Sequence, residues 1–285
     1  MKKTFITLLA LAGVASANYV WNGGKEINSE KWSDSSNWIL DEGDTFAGNG
    51  PGMTNSNMWE SIYVANASGS VGNENDFTLE GWNLSLYLSN EADLTFQRIK
   101  KFQNGSYFNI DATSSLSIYS YYGGNDGGLI TLDNKGSFTL GYSMRTQGGE
   151  GFAMNLYDTG IVNLVAQNTN GANNAKVKSV TAQLVSSAAG IETRTLVNKA
   201  AGVGFDDTET TYAFTDAKGA VMTAVDSLEA LATATAPSYF VSKNDTGIHV
   251  SYVGIFEPTE YIPEPATATL SLLALAGLAA RRRRR

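Results

Sequence analysis

The chain has 285 residues, 20 Lys and Arg against 28 Asp and Glu, a net charge of −8, one histidine and no cysteine. That inventory excludes a disulfide framework, a thiol nucleophile and a zinc site built on a histidine cluster, and it leaves His249 as the only imidazole. Glycine is abundant, at 29 residues, and long helical patterns are scarce, a profile that reads as all-β with many turns.

The first element in chain order is a secretory leader, residues 1–17. Met1-Lys2-Lys3 is a basic start, Thr4 to Val14 is apolar, and Ala15-Ser16-Ala17 is a small-x-small cleavage site. Signal peptidase is expected to cut after Ala17 and leave Asn18 at the mature N-terminus. Removing Lys2, Lys3 and the five C-terminal arginines leaves 13 basic residues against 28 acidic ones, a net charge of about −15. A surface that acidic cannot neutralise a phosphate backbone, so nucleic acid is excluded as a partner.

Residues 18–61 carry four of the five tryptophans, Trp21, Trp32, Trp38 and Trp59. The expected role is an N-terminal cap, because a stack of repeats leaves its last apolar face uncovered and large aromatics cover it well. A sugar-stacking platform is the other use of such residues, so these four are also the candidate ligand-binding positions. The run Trp21-Asn22-Gly23-Gly24, Trp32 and Asn37-Trp38 resembles an opening found in exported repeat proteins.

Residues 62–165 form the expected solenoid. Four apolar-x-apolar triplets, starting at Leu86, Phe108, Ile130 and Met154, are 22, 22 and 24 residues apart. A second triplet begins eight residues after each, at Leu94, Leu116, Phe138 and Val162. Alternation puts the outer residues of a triplet on one face and the middle residue on the other. The fixed period predicts a parallel β-helix with rungs of about 22 residues. Asn109, Thr131 and Asn155 are expected in one polar column, and Thr95, Ser117, Thr139 and Asn163 in another. The two extra residues are placed between Leu140 and Met154, and Asp133 to Ser137 is read as a turn. Ile62-Tyr63-Val64 fits as an earlier strand, but Ser70-Val71-Gly72 does not fit as its partner. An antiparallel meander with a hairpin at Leu132 to Ser137 is the alternative. Segments such as GGLITLDNKGSFTLG resemble the rungs of autotransporter passenger β-helices.

Carboxylates are the remaining source of chemistry. Asp111 and Asp133 are expected on successive rungs, but both read as turn residues. Asp126 and the group Asp206, Asp207 and Glu209 read as solvated turns rather than cation ligands. No metal and no cofactor is expected, and His249 is expected on the polar phase of a strand.

Residues 166–257 lose the period and are expected to form a β-rich C-terminal cap. It contains a hairpin around Asp216 to Gly219, a short helical segment from Val225 to Leu231, and a hairpin from Tyr239 to Val253. Residues 258–265 form a Pro-rich linker. Residues 266–280 are small or apolar and would reach about 22 Å as a helix, short of a hydrocarbon core of about 30 Å. Arg281, Arg282, Arg283, Arg284 and Arg285 then hold the C-terminus in the cytoplasm.

Pro263-Glu264-Pro265, the short span and the arginine block together resemble the PEP-CTERM sorting tail of exported Gram-negative bacterial proteins. The resemblance implies recognition and removal by an exosortase-like membrane protease; an uncleaved tail would be a single-pass anchor. The expected protein is a non-enzymatic, surface-displayed solenoid with a structural or adhesive role in the envelope or an exopolysaccharide matrix. Its expected partners are signal peptidase, the exosortase-like protease, the membrane through its C-terminal segment, and an exopolysaccharide or host glycan. The alternatives are a carbohydrate-binding module and a β-helix polysaccharide lyase or hydrolase.

Overall fold

Alternating apolar residues on short strands give each strand one face to bury, and this chain buries them by coiling. The computed structural model describes residues 16–41, 46, 50–51, 59–72, 79–80, 83–97, 99–100, 106–122, 129–145, 151–157, 159–165, 175–186, 189–203, 205–206 and 208–254. The first coil consists of β1 (Ser16–Trp21) and β2 (Glu26–Asn28). It leads into α1 (Ser29–Ser33), a 3-10 turn (Ser35–Asn37) and β3 (Trp38–Leu40). Next come β4 (Trp59–Ala65) and β5 (Ser68–Val71), then β6 (Leu79–Glu80), β7 (Asn83–Ser89), β8 (Asp93–Phe96) and β9 (Ile99–Lys100). The coils continue as β10 (Tyr107–Ile110) and β11 (Ser115–Tyr122), β12 (Leu129–Asn134) and β13 (Ser137–Arg145), and β14 (Gly151–Leu156) and β15 (Ile161–Leu164). After β16 (Ala175–Leu184) and β17 (Glu192–Lys199) the chain adds β18 (Phe205–Asp206), β19 (Thr211–Asp216) and β20 (Thr223–Ala224). It finishes with α2 (Leu228–Ala232), β21 (Ser238–Asn244) and β22 (Gly247–Val253).

The fold is an all-β solenoid. The first sheet orders its strands β3-β1-β4-β7-β10-β12-β14-β16, and the second β2-β5-β8-β11-β13-β15-β17-β22-β21-β20. From β1 to β16 and from β2 to β17 the neighbours on these paths are parallel, which removes the antiparallel meander. The parallel ladders therefore run beyond residues 62–165 in both directions, and β19 adds a further parallel strand beside β16. Between the sheets lies one core, including Ile62, Leu86, Phe108, Leu132 and Met154 from the first and Leu94, Leu116, Phe138 and Val162 from the second, all at most 1% exposed. Each such side chain contributes about 1.5–3 kcal/mol on burial.

Three register readings are corrected. Phe108 pairs with Leu132, not Ile130, so Asp133 rather than Thr131 stands beside Asn109 and Asn155. The extra residues of the first sheet thus precede Leu132. The rung is shortened again at its corner, because only Lys135 and Gly136 join β12 to β13. Asp133 and Asn134 belong to the strand, and Asn134 fills the inward position held by Ile110 and Leu156 in neighbouring rungs. A period-two pattern cannot distinguish registers two residues apart, and the turn-forming character of Asn concealed this one. The second correction concerns β5: Gly69, not Ser70, faces Leu94. A Cβ at Gly69 would lie 1.8 Å from the Ile27 carbonyl oxygen, so the missing apolar residue makes room for the adjoining coil. Third, Asp111 does not align with Asp133; it lies beyond the end of β10, two residues past Asp133's partner Asn109.

At the C-terminal end, β22 runs antiparallel to β17 and β21 antiparallel to β22. The turn at Asp216 to Gly219 and the hairpin from Tyr239 to Val253 lie where the sequence placed them, whereas the helix α2 starts at Leu228, with Ser227 as its cap, and leaves Val225 outside. The apolar segment 266–280 lies outside the described residues, among which no helix is long and apolar enough to cross a membrane.

Candidate functional site

The outward face of the first sheet carries a column of side chains linked from rung to rung, with Tyr107 of the adjacent column as the bridge in its middle. Its members, in pairing register, are Tyr63, Tyr87, Asn109, Asp133, Asn155 and Thr181. Strand alternation alone puts them there, since their neighbours Ile62, Leu86, Phe108, Leu132, Met154 and Val180 point into the core. The column begins with aromatics: the rings of Tyr63 and Tyr87 stack with centroids 4.6 Å apart and planes 9° apart. Tyr107, one column over, tilts against Tyr87 with centroids 5.7 Å apart.

From Tyr107 onward the column is hydrogen-bonded. The Tyr107 hydroxyl donates to Asp133 Oδ2 at 2.5 Å and accepts from Asn109 Nδ2 at 2.9 Å. Asn155 Nδ2 donates to Asp133 Oδ1 at 2.7 Å, and Thr181 Oγ1 donates to Asn155 Oδ1 at 2.6 Å. Both oxygens of the carboxylate are thus engaged by neighbours on the rungs before and after it. Burial, then the bond to Asp133, holds the Tyr107 phenol well above its usual range. Burial raises Tyr63 and Tyr157 in the same direction, with Tyr87 and Asp133 respectively adding to the effect. Phenols raised in this way stay protonated at neutral pH and serve as hydrogen-bond donors rather than bases.

The second sheet carries a weaker column in the predicted register Thr95, Ser117, Thr139 and Asn163. Asn163 Nδ2 lies 3.2 Å from Ser137 Oγ and accepts on Oδ1 from Asn198 Nδ2 at 3.3 Å.

The other candidate residues are dispersed. Trp21, Trp32 and Trp38 are 8%, 0% and 5% exposed, and their faces are covered by one another and by the core. Trp32 Nε1 donates to the Pro51 carbonyl at 3.0 Å, and Trp38 Nε1 to the Trp32 carbonyl at 2.8 Å. These three residues close the N-terminal end and offer no ring face to a sugar; the side chain of Trp59, in β4, lies outside the described residues. Asp111 caps a corner, accepting from Asn90 N at 2.7 Å and Thr113 N at 3.0 Å. Burial pushes its carboxyl up, but hydrogen bonds from Ser114, Asn90 and Thr113 outweigh that and hold it below the usual range. His249 is half-buried on β22, with Nδ1 3.0 Å from Thr195 Oγ1 and Nε2 3.1 Å from Thr246 Oγ1. Asp206 lies on β18, whereas Asp126 and Asp207 fall outside the described residues, as do Ala15, Pro263, Glu264, Pro265 and Arg281 to Arg285. Ala17 lies within β1. Among the described residues no three His, Cys, Asp or Glu side chains converge as metal ligands would.

Sequence reasoning missed the Tyr63, Tyr87 and Tyr107 series and the place of Asp133 at its centre. The signal was present: tyrosines occupy middle positions in Ile62-Tyr63-Val64 and Leu86-Tyr87-Leu88. The class defined by this geometry is a two-sheet β-solenoid with a side-chain ladder on one face. No protein-family model matches the chain, and no curated protein or solved structure matches it either.

Proposed function

We propose that this is an exported, surface-displayed, non-enzymatic β-solenoid with a structural or adhesive role in the cell envelope or an exopolysaccharide matrix. The observation that carries this reading is the ladder on the first sheet. Its phenol, amide, hydroxyl and carboxylate groups are spent on bonds between rungs, as suits a part that keeps its shape. A glycosidase needs two carboxyls about 5–9 Å apart with distinct environments, and a corner-capping Asp111 and a twice-bonded Asp133 do not have that character. The leader and the Pro-Glu-Pro tail supply the route: signal peptidase removes residues 1–17, the tail holds the chain at the inner membrane, and an exosortase-like protease releases it at Pro263 to Pro265.

The test is made in a Gram-negative host that carries such a protease. Surface protease shaving and the intact mass of the recovered protein are expected to show display and loss of both ends. Robust glycan cleavage by the purified protein, abolished by Asp133→Asn with the fold intact, would overturn the non-enzymatic reading. Retention of the full C-terminal mass on the cell would replace release with a single-pass anchor.

A further inference from the structure

Glu60 is one of the few charged residues drawn into the interior. It is 7% exposed and shares the inward phase of β4 with Ile62 and Val64, which are 0% and 1% exposed. Its partner in the parallel ladder is Ala17, and the next pair is Asn18 with Ser61. The expected leader cleavage site, between Ala17 and Asn18, therefore lies directly across from a buried carboxylate. We propose that leader removal creates a charge pair in which the new α-ammonium of Asn18 settles beside the Glu60 carboxylate and locks the first coil onto the second.

The inference rests on the reading of residues 1–17 as a cleaved leader, and the geometry does the rest. Hydrolysis of the Ala17–Asn18 bond consumes one water and leaves the carboxylate on the released leader and the amine on Asn18. Ser16 and Ala17 depart from β1, so the backbone opposite Glu60 is withdrawn and an ammonium stands at the new strand end. Adjacent strands lie about 4.8 Å apart, a gap that a glutamate side chain spans. A peptide N–H offers one donor and an ammonium offers three, and a carboxylate held away from water gains most from a charged donor. A cut one residue later moves the ammonium to Tyr19, whose ladder partner is Ile62, and takes it away from Glu60.

The pair raises the pKa of the amine above its ordinary 7.7–8.0. Its stabilisation is present while Glu60 is ionised and the amine charged, and is lost as pH rises through the raised value. Asp41, whose carboxylate accepts from Asn18 Nδ2, is the other charged group beside this strand end.

The experiment uses the whole exported chain in detergent, with its α-amine either free or selectively acetylated and with Glu60 or Glu60→Gln. Acetylation is expected to lower the melting temperature by about 2–4 °C. Glu60→Gln is expected to lower it comparably in the free-amine chain and not in the acetylated one. The free amine, followed by the pH dependence of its acylation, is expected to titrate about one unit high and to return to normal in Glu60→Gln. An amine that titrates normally, or equal effects of Glu60→Gln with and without acetylation, would overturn the pair. The N-terminal mass separates the two levels: a start other than Asn18 overturns the leader reading and the proposal with it, whereas a start at Asn18 without coupling overturns the pair alone.

Discussion

The two ends of the solenoid face the same problem and solve it differently. A terminal coil leaves an apolar surface and a row of sheet-edge hydrogen-bonding groups without a next rung. At the N-terminal end the chain applies side-chain area. Trp32, fully buried, packs edge-on against Trp38 and Phe96 at centroid distances of 4.8 and 5.5 Å, and β3 needs only three residues to cover the edge of β1. At the C-terminal end it applies backbone. β22 and β21 reverse direction and continue the second sheet as antiparallel strands, and Phe214 against Tyr239 is the main aromatic contact, at 4.6 Å. One end depends on a few large residues, the other on many hydrogen bonds and on the glycine that lets them form.

That contrast can be broken from either side. Trp32→Ala is expected to have the largest effect, about 3–5 kcal/mol in urea denaturation, since it empties the centre of the aromatic cluster. A loss below 1 kcal/mol would show that the indoles do not carry that end. Gly247→Ala follows, at about 2 kcal/mol, because φ is +140° and a Cβ would lie 1.9 Å from the Val197 carbonyl oxygen. Amide exchange should show that loss concentrated in β21 and β22, and a uniform loss would contradict the separation of the ends.

Tyr252→Phe comes next. The hydroxyl's single proton is shared between the Val185 carbonyl oxygen at 3.1 Å and Glu192 Oε2 at 3.2 Å, so its removal is expected to cost about 1 kcal/mol at neutral pH. Burial, with Glu192 beside it, pushes the phenol up to about 12. Its contribution is therefore complete below pH 10 and lost as pH rises toward 12, and the variant should lose that part of the alkaline unfolding slope. Asp111→Ala, midway between the ends, is the smallest, at up to about 1 kcal/mol. The Asp111 carboxyl is lowered from 3.8, so its contribution holds above that pH and fades as pH falls through the lower folded value. Acid denaturation of wild type and variant should converge there.

Much of the fold was legible because period-two alternation and a repeat of about 22 residues are direct imprints of a coil. Residues that break the alternation for a packing reason were not legible. Ser70-Val71-Gly72 looked like a failed strand because the true partner of Leu94 is Gly69, and the carbonyl that Gly69 accommodates belongs to Ile27, in the adjoining coil. Asn134 looked like a turn because a buried Asn in an apolar column cannot be told from a loop residue by type. The continuation through β16 and β17 was hidden by a change in rung length: Val180 and Val197 are 17 residues apart, whereas Leu86 and Leu94 are separated by eight. For the site, the second polar column was read in the right register. The first was read in part, since Asn109 and Asn155 were placed together and Asp133 was assigned to a turn.

The irregular rung at Asn134 has a consequence for folding. Coils that look alike can pair out of order, and a stack of interchangeable rungs has many near-degenerate arrangements. Asn134 donates from Nδ2 to the Ile161 carbonyl at 2.8 Å, and Gly136 sits where a Cβ would lie 2.1 Å from the Ser114 carbonyl oxygen. A coil shifted by one rung would set that amide in a place held by Ile110 or Leu156. If the preceding coil moved into this one, it would bring Ser114 to the corner where Gly136 leaves no room for a side chain. Asn134 thus gives one coil a polar mark that its neighbours Ile110 and Leu156 lack, a local means of telling that coil from the rest.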